Sequence, residues 1–183
     1  MANIIKGGVR IIKTNRLILR EMTDEDKDDF YEIFDSENVD KLVRRMTREQ
    51  VEKYFAKRKT KPKNPYSFAV VLAQSNKMIG TVGIKETEAH VGILSYVFND
   101  KYWGNGYCTE ACRAIIKNAF ENWGFEIIKA DCQEDNNASR HLLDKFGFKF
   151  DRIAIGETTS HRTNEPVNFL FFSLAKTDYE LTK

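Results

Sequence analysis

Gly104 and Gly106 stand one residue apart in the stretch Tyr102-Trp103-Gly104-Asn105-Gly106-Tyr107-Cys108-Thr109-Glu110-Ala111. Ahead of them, Ile93-Leu94-Ser95-Tyr96-Val97-Phe98 is rich in β-branched and aromatic residues and reads as a strand. Behind them, Ala111, Ala114, Ile115, Ala119 and Phe120 recur at three- and four-residue steps, so an amphipathic helix begins near Gly106 or Tyr107. Glycines at such a junction let the backbone turn sharply and let a ligand press against the main chain. The N–H groups of the first helical turn have no intrahelical partner, and with the macrodipole they favour a phosphate or diphosphate. The same Gly-x-Gly turn also serves as a plain structural cap, so the stretch alone leaves both uses open.

A second cluster follows, Asp131-Cys132-Gln133-Glu134-Asp135-Asn136-Asn137-Ala138-Ser139, which runs on to Lys145-Phe146-Gly147-Phe148. Together the two segments resemble the GCN5-related N-acetyltransferases. The Tyr-Trp-Gly-x-Gly-Tyr form, with Asn-x-x-Ser ahead of Lys-x-Gly-Phe, is similar to the branch that acetylates ribosomal-protein N-termini. Thr14-Asn15-Arg16-Leu17-Ile18-Leu19-Arg20 looks like the first strand of that branch. The motifs are specific in combination, order and spacing, and none is specific alone.

The resemblance implies acetyl-CoA as cosubstrate and no metal. Its diphosphate would lie on the loop Gly104, Asn105, Gly106, Tyr107, Cys108 and Thr109, and its pantetheine arm would pair with the main chain of Tyr96, Val97 and Phe98. Trp103 stands where the broad family has Gln or Arg, and Cys108 where it has Gly or Ala. Asn136 would hydrogen-bond the pantetheine. Transfer in this family is direct: a neutral amine attacks the thioester, and a backbone N–H of the strand before the loop holds the oxyanion. Asp131, five residues before Asn136 where some relatives carry a base, is the first candidate to take the amine proton. Glu165, where the branch often has Asp before its last strand, is a second candidate, and Glu86, Glu88 and His90 flank the turn between the strands expected at 78–84 and 90–98. Many relatives place an acidic Tyr where this chain has Leu143; here Ser139 would hydrogen-bond the departing thiolate or the pantetheine. Asn136 and Ser139 are equally suited to cap a helix. Cys108 and Cys112 are four apart on the predicted helix without a His or Asp cluster to complete a metal set, and packing accounts for them and for Cys132.

The elements that must position these groups follow from the pattern. Residues 1–10 read as a loose arm and residues 11–183 as one domain, long enough to bury a core. Strands are expected at 11–21, 66–72, 78–84, 90–98, 126–132, 148–155 and 167–174. Helices are expected from Thr23, from Thr47 to Pro62 and Pro65, from Gly106 to about Trp123, and over 138–146. Antiparallel strands followed by β-α-β-α-β argue an α/β fold with a mixed, mostly antiparallel sheet of about seven strands and about four helices.

Composition excludes several classes. The chain has 42% hydrophobic and 31% charged residues, as an ordinary globular protein does, and no apolar run long enough to span a bilayer. With no signal-peptide core and three cysteines, the expectation is a cytoplasmic protein with reduced thiols. The net charge of +2 hides a basic stretch at 41–63, ten Lys or Arg against Glu49 and Glu52. That stretch is either a solvated helix face or a surface that steers an acidic acceptor such as an acidic protein N-terminus. Nucleic-acid binding has only this helix to support it, and its Tyr54 and Phe55 fall on the inward face. The competing readings are acetylation of a polyamine, aminoglycoside or amino acid, and a non-catalytic acetyl-CoA-binding module. Oligomeric state is left open, a homodimer included.

Overall fold

Eight strands form one open, mostly antiparallel sheet in a computed structural model that describes residues 10–60 and 64–181. In chain order they are β1 (Ile12–Lys13), β2 (Leu17–Arg20), β3 (Ser67–Leu72), β4 (Met78–Glu88), β5 (Val91–Phe98), β6 (Ile127–Gln133), β7 (Lys149–Thr159) and β8 (Pro166–Ala175). Their order across the sheet is β1-β2-β3-β4-β5-β6-β8-β7. Six α-helices accompany them: α1 (Lys27–Phe34), α2 (Glu37–Asp40), α3 (Arg48–Thr60), α4 (Tyr107–Asn122), α5 (Asn137–Lys145) and α6 (Lys176–Leu181). The chain divides into two compact units, Met1–Gly83 with Tyr96–Ile115 and Ile84–Ser95 with Ile116–Lys183, so β4, β5 and α4 each run through both.

The first unit is built on aromatic packing. Phe30 of α1 stacks on Tyr54 of α3 at 5.0 Å between ring centroids and meets Phe55 edge-on at 5.4 Å. Around them Met22, Ile33, Val51, Ala69, Val71 and Met78 complete a buried cluster. Both helix starts follow the capping-box spacing. The Thr23 N–H donates to Asp26 at 2.7 Å at the head of a 3₁₀ turn, and Thr47 and Gln50 exchange reciprocal bonds before α3. Asp26 is buried and takes two 2.7 Å bonds from the Arg20 guanidinium.

In the second unit, β5 pairs parallel with β6 over Val91, Gly92 and Ile93, and β6 pairs antiparallel with β8 along its whole length. Gly92 is there because a Cβ would stand 2.3 Å from Ile84 Cγ2 and 2.8 Å from the Phe125 ring. The β7–β8 hairpin slips register twice, between Phe150 and Arg152 and between Ala154 and Thr158.

Several boundaries differ from expectation. The first strand is two, because the Thr14 N–H and the Leu17 carbonyl close a turn at 2.9 Å and fold β1 back on β2. That raises the strand count from about seven to eight. Short α2 and α6, too brief for a helical period to register, raise the helices from about four to six. The turn after β4 is the pair Ala89-His90, with His90 at φ 65° in the left-handed region and its Nδ1 2.8 Å from the Gly124 carbonyl. The expected arm at residues 1–10 lies outside the described residues except for Arg10, and so does Pro62; α3 ends at Thr60.

Candidate functional site

Trp103 through Thr109 form the junction between β5 and α4. Gly104 and Gly106 both take left-handed backbone, φ 77° and 76°, which an L side chain adopts only at a cost. Internal crowding does not require either glycine. A Cβ on Gly104 would meet nothing within 4 Å, and one on Gly106 only Arg16 Nη2 at 3.6 Å. The left-handed turns and the open space above them therefore leave the main chain bare on the outer side. The first intrahelical bond runs from the Glu110 N–H to the Gly106 carbonyl at 3.0 Å, so the N–H groups of Tyr107, Cys108 and Thr109 precede the helical ladder. A diphosphate fits such a cradle: bare backbone, orphan donors and the positive end of a sixteen-residue helix.

Side chains hold the loop in this shape. Asn105 Nδ2 donates to the carbonyls of Tyr102 and Trp103 at 3.3 and 3.1 Å. Trp103 is 45% exposed, and its indole N–H donates to the Phe98 carbonyl at 2.9 Å, so that carbonyl already serves the loop. Cys108 Sγ lies 4.0 Å from Cys112 Sγ, and burial, with the Cys108 thiol adding to it, pushes the Cys112 thiol well up. Both are free thiols in the first turns of α4, Cys112 buried and Cys108 partly exposed. Among the described residues, no three His, Cys, Asp or Glu side chains converge as metal ligands would.

One contact set was not anticipated from the sequence. Glu110, in the first turn of α4, accepts from Thr14 Oγ1 at 2.6 Å, from the Arg16 backbone N–H at 2.9 Å and from Arg16 Nε at 2.7 Å. The same guanidinium donates through Nη1 to the Asn105 carbonyl at 2.9 Å and lies 4.5 Å from the Tyr107 ring centre. Burial pushes the Glu110 carboxyl up, but these bonds outweigh it and hold the group below its ordinary value. Arg16 sits in the β1–β2 turn, remote in sequence from the loop, and its place in the Thr14 to Arg20 motif pointed only to a strand.

The second segment lies in the other unit. Asp131 is on β6, opposite Phe171 of β8, and points away from the face that buries Ile128, Ala130 and Cys132. Its side chain reaches solvent, yet enough protein surrounds the carboxyl that desolvation raises it above the usual carboxylate range. Asn136 Oδ1 accepts the Ser139 N–H at 3.1 Å, the N-capping use for α5. Ser139 is only 6% exposed, and its hydroxyl hydrogen-bonds the Cys132 thiol, which burial pushes up and this bond pulls back. Its reach toward a departing thiolate is correspondingly small. Glu165 lies in the 160–165 tip of the β7–β8 hairpin, where the Ser160 N–H donates to its carbonyl at 2.8 Å. Six residues of β8 separate it from the level of Asp131, about 20 Å at strand rise, so the structure does not bring the two candidate bases together. Glu86 and Glu88 are exposed at the far end of β4.

Comparison with known proteins identifies a family and a fold. The model of the acetyltransferase (GNAT) domain family matches residues 16–149. The N-acetyltransferase YnaD of Bacillus subtilis is 32% identical over 140 residues, 75% of this chain and 82% of the relative. In three dimensions the chain is similar to an acetyltransferase of the GNAT family from Bacillus anthracis, with a TM-score of 0.81 at 24% identity over 91% of this chain and 99% of that one. It is also similar to RimL, a ribosomal L7/L12 α-N-protein acetyltransferase solved with coenzyme A, with a TM-score of 0.78 at 13% identity over 90% and 97% of the two chains.

Proposed function

Because the chain belongs to the GNAT acetyltransferase family and is an N-acetyltransferase, we propose that its acceptor is the α-amine of a protein N-terminus and that residues 11–183 act as one domain. The observation that carries the cosubstrate half of this reading is the cradle at Gly104 and Gly106, whose outward Cβ directions are empty or nearly so. Bound acetyl-CoA supplies the acetyl thioester, from which the acetyl group passes to the amine nitrogen with release of the thiol. The backbone N–H groups at 104–109 hold the diphosphate, and the main chain of Tyr96 and Val97 takes the pantetheine. Phe98 contributes through its N–H, since its carbonyl serves Trp103. Trp103 covers the loop with its exposed face.

Asp131 takes the amine proton. Desolvation raises its carboxyl, which brings its basicity closer to that of the amine it must deprotonate. An α-amine with pKa about 8 is roughly one-tenth neutral at pH 7, whereas a lysine-like amine near 10.4 is neutral in under roughly one part in a thousand. One modestly raised carboxylate suits the first acceptor better than the second. The similarity in fold to RimL, which acts on a protein N-terminus, points the same way. Asn136 caps α5 and so sets the position of Ser139, whose hydroxyl buttresses Cys132 beside Asp131.

Thiol release from acetyl-CoA, measured against peptides with free N-termini, polyamines with aminoglycosides, and free amino acids, tests the acceptor. Release with peptides alone is the expected result. Release with a small amine alone overturns the acceptor assignment and leaves the enzyme class intact.

A further inference from the structure

We propose that Arg16 completes the acetyl-CoA site as a ligand to the diphosphate, with Glu110 as the residue that positions it; the inference rests on the loop's being the diphosphate cradle. A guanidinium has five N–H donors in a fixed planar fork. In Arg16 the Nε–H goes to Glu110 and one Nη1–H to the Asn105 carbonyl. Among the described residues Nη2 has no partner, and it lies 3.6 Å from the point where a Cβ of Gly106 would project. That direction is the outer side of the loop, above the bare main chain. The Tyr107 ring, 4.5 Å from the guanidinium carbon, fixes the plane of the fork.

Two devices prevent the fork from swinging away. Glu110 binds both the side-chain Nε and the backbone N–H of Arg16, and Thr14 Oγ1 occupies the same carboxylate at 2.6 Å. The carboxylate stands behind the guanidinium and, held below its ordinary value, remains ionised through the neutral range. The pair thus presents its positive end toward the loop and its negative end toward the β1–β2 turn. Through Nη1 the same side chain pins the Asn105 carbonyl, which keeps the adjoining N–H groups from turning inward. Arg16 therefore acts twice, once on the shape of the cradle and once on its charge.

Calorimetric titration with CoA and with dephospho-CoA, at about 20 mM and about 500 mM salt, separates these possibilities. Arg16→Gln is expected to raise the Kd of both probes at least about tenfold at low salt, and by clearly less at high salt, because the lost contact is ionic. Glu110→Gln is expected to weaken both probes in the same sense by a smaller factor, since the fork loses its orientation and keeps its charge. Arg16→Lys, which keeps charge without the fork, is expected to fall between wild type and Arg16→Gln. Weakening of CoA alone overturns the proposal by assigning the contact to the 3′-phosphate. An equal factor at both salt concentrations overturns it in favour of a purely structural role, and no weakening overturns it outright. Gly106→Glu in the same titrations distinguishes the premise from the inference. If that variant binds CoA as wild type does, the loop reading falls; if it abolishes binding while Arg16→Gln spares it, only the Arg16 inference falls.

Discussion

Placing a side chain on Gly106 separates the folding requirement of the loop from its binding requirement. Gly106→Ala forces an L residue into a backbone at φ 76°, at a cost of about 1–2 kcal/mol. The new Cβ meets only Arg16 Nη2 at 3.6 Å, an ordinary contact, so sterics in the free protein add little. For a chain of 183 residues that cost corresponds to a melting point lower by roughly 2–8 °C. The variant remains folded at room temperature, while the added methyl stands where the diphosphate must approach the main chain. Gly106→Gln and Gly106→Glu share a shape and differ by one charge. At about 5 Å from a phosphate oxygen, that charge is worth about 1 kcal/mol in water-like surroundings and about 3 kcal/mol at an effective dielectric near 20. The Glu variant should therefore bind CoA roughly five- to 150-fold more weakly than the Gln variant. The nearby Arg16 guanidinium would attract the introduced carboxylate and be lost to the ligand as well. Melting curves and titration calorimetry with CoA on wild type, Ala, Gln and Glu forms give both halves. The reasoning is refuted if all three variants melt lower yet bind CoA as wild type does, or if Gln and Glu bind alike.

Two further substitutions test the other unit and the scaffold. Asp131→Asn is expected to lower kcat/KM about 10²- to 10⁴-fold; because desolvation raises the wild-type carboxyl, wild-type kcat/KM expressed per neutral amine should fall as the pH drops through that raised value, and the variant should lack this limb. A limb that persists in the variant assigns the proton to another group. Asp26→Asn leaves the Arg20 guanidinium short of its buried partner and should cost about 2–4 kcal/mol in urea unfolding at pH 7. Burial pulls the Asp26 carboxyl upward, but Arg20 and Thr23 hold it below its ordinary 3.8, so the contribution is complete above that value and is lost as the pH falls through the folded one. A gap between the two proteins that stays constant into acid would show that the charge of Asp26 is not what stabilises the turn.

The strand-loop-helix at 93–122 was legible because each level of the sequence agreed: β-branched residues, two glycines at a left-handed turn, then a helical period. The capping boxes at Thr23 and Thr47 were legible for the same reason, since their bonds span three residues. What spacing does not encode is a partnership between distant residues. Arg16 and Glu110 are 94 positions apart, and each taken alone is an ordinary charged residue near the end of an element. Ser139 was singled out because it stands three residues after Asn136, as in the ribosomal-protein branch; its side chain is buried and turns to Cys132, a contact that spacing along the chain does not encode. Glu165 looked adjacent to the chemistry because it precedes the last strand. The β7–β8 ladder continues to Thr159 and Pro166, and that extension carries Glu165 to the hairpin tip.

The basic stretch illustrates how tertiary pairing changes the meaning of a local charge count. Arg45, Arg48, Lys53 and Lys59 pair with Asp35, Asp28, Glu49 and Asp24. Lys27 and Glu52 form another pair across α1 and α3, and the Arg58 guanidinium lies 5.8 Å from the Tyr54 ring centre. Exposed pairs of this kind contribute about 0–1 kcal/mol each to stability. Their effect on the field is larger than that figure suggests, because a paired charge acts at a distance as a dipole, and what remains is screened within about 10 Å at ordinary ionic strength. Asp24, Asp28 and Asp35, upstream of residue 41, thus offset three of the charges that the local count assigned to 41–63, while Lys53 pairs within the stretch and Lys27 takes Glu52 from it. Steering of an acidic acceptor would fall to the fewer side chains left over, such as Lys57, rather than to the whole stretch. The preference for a terminal amine therefore rests on the chemistry at Asp131 and not on the charge of α3, and it does not require the acceptor chain to be acidic.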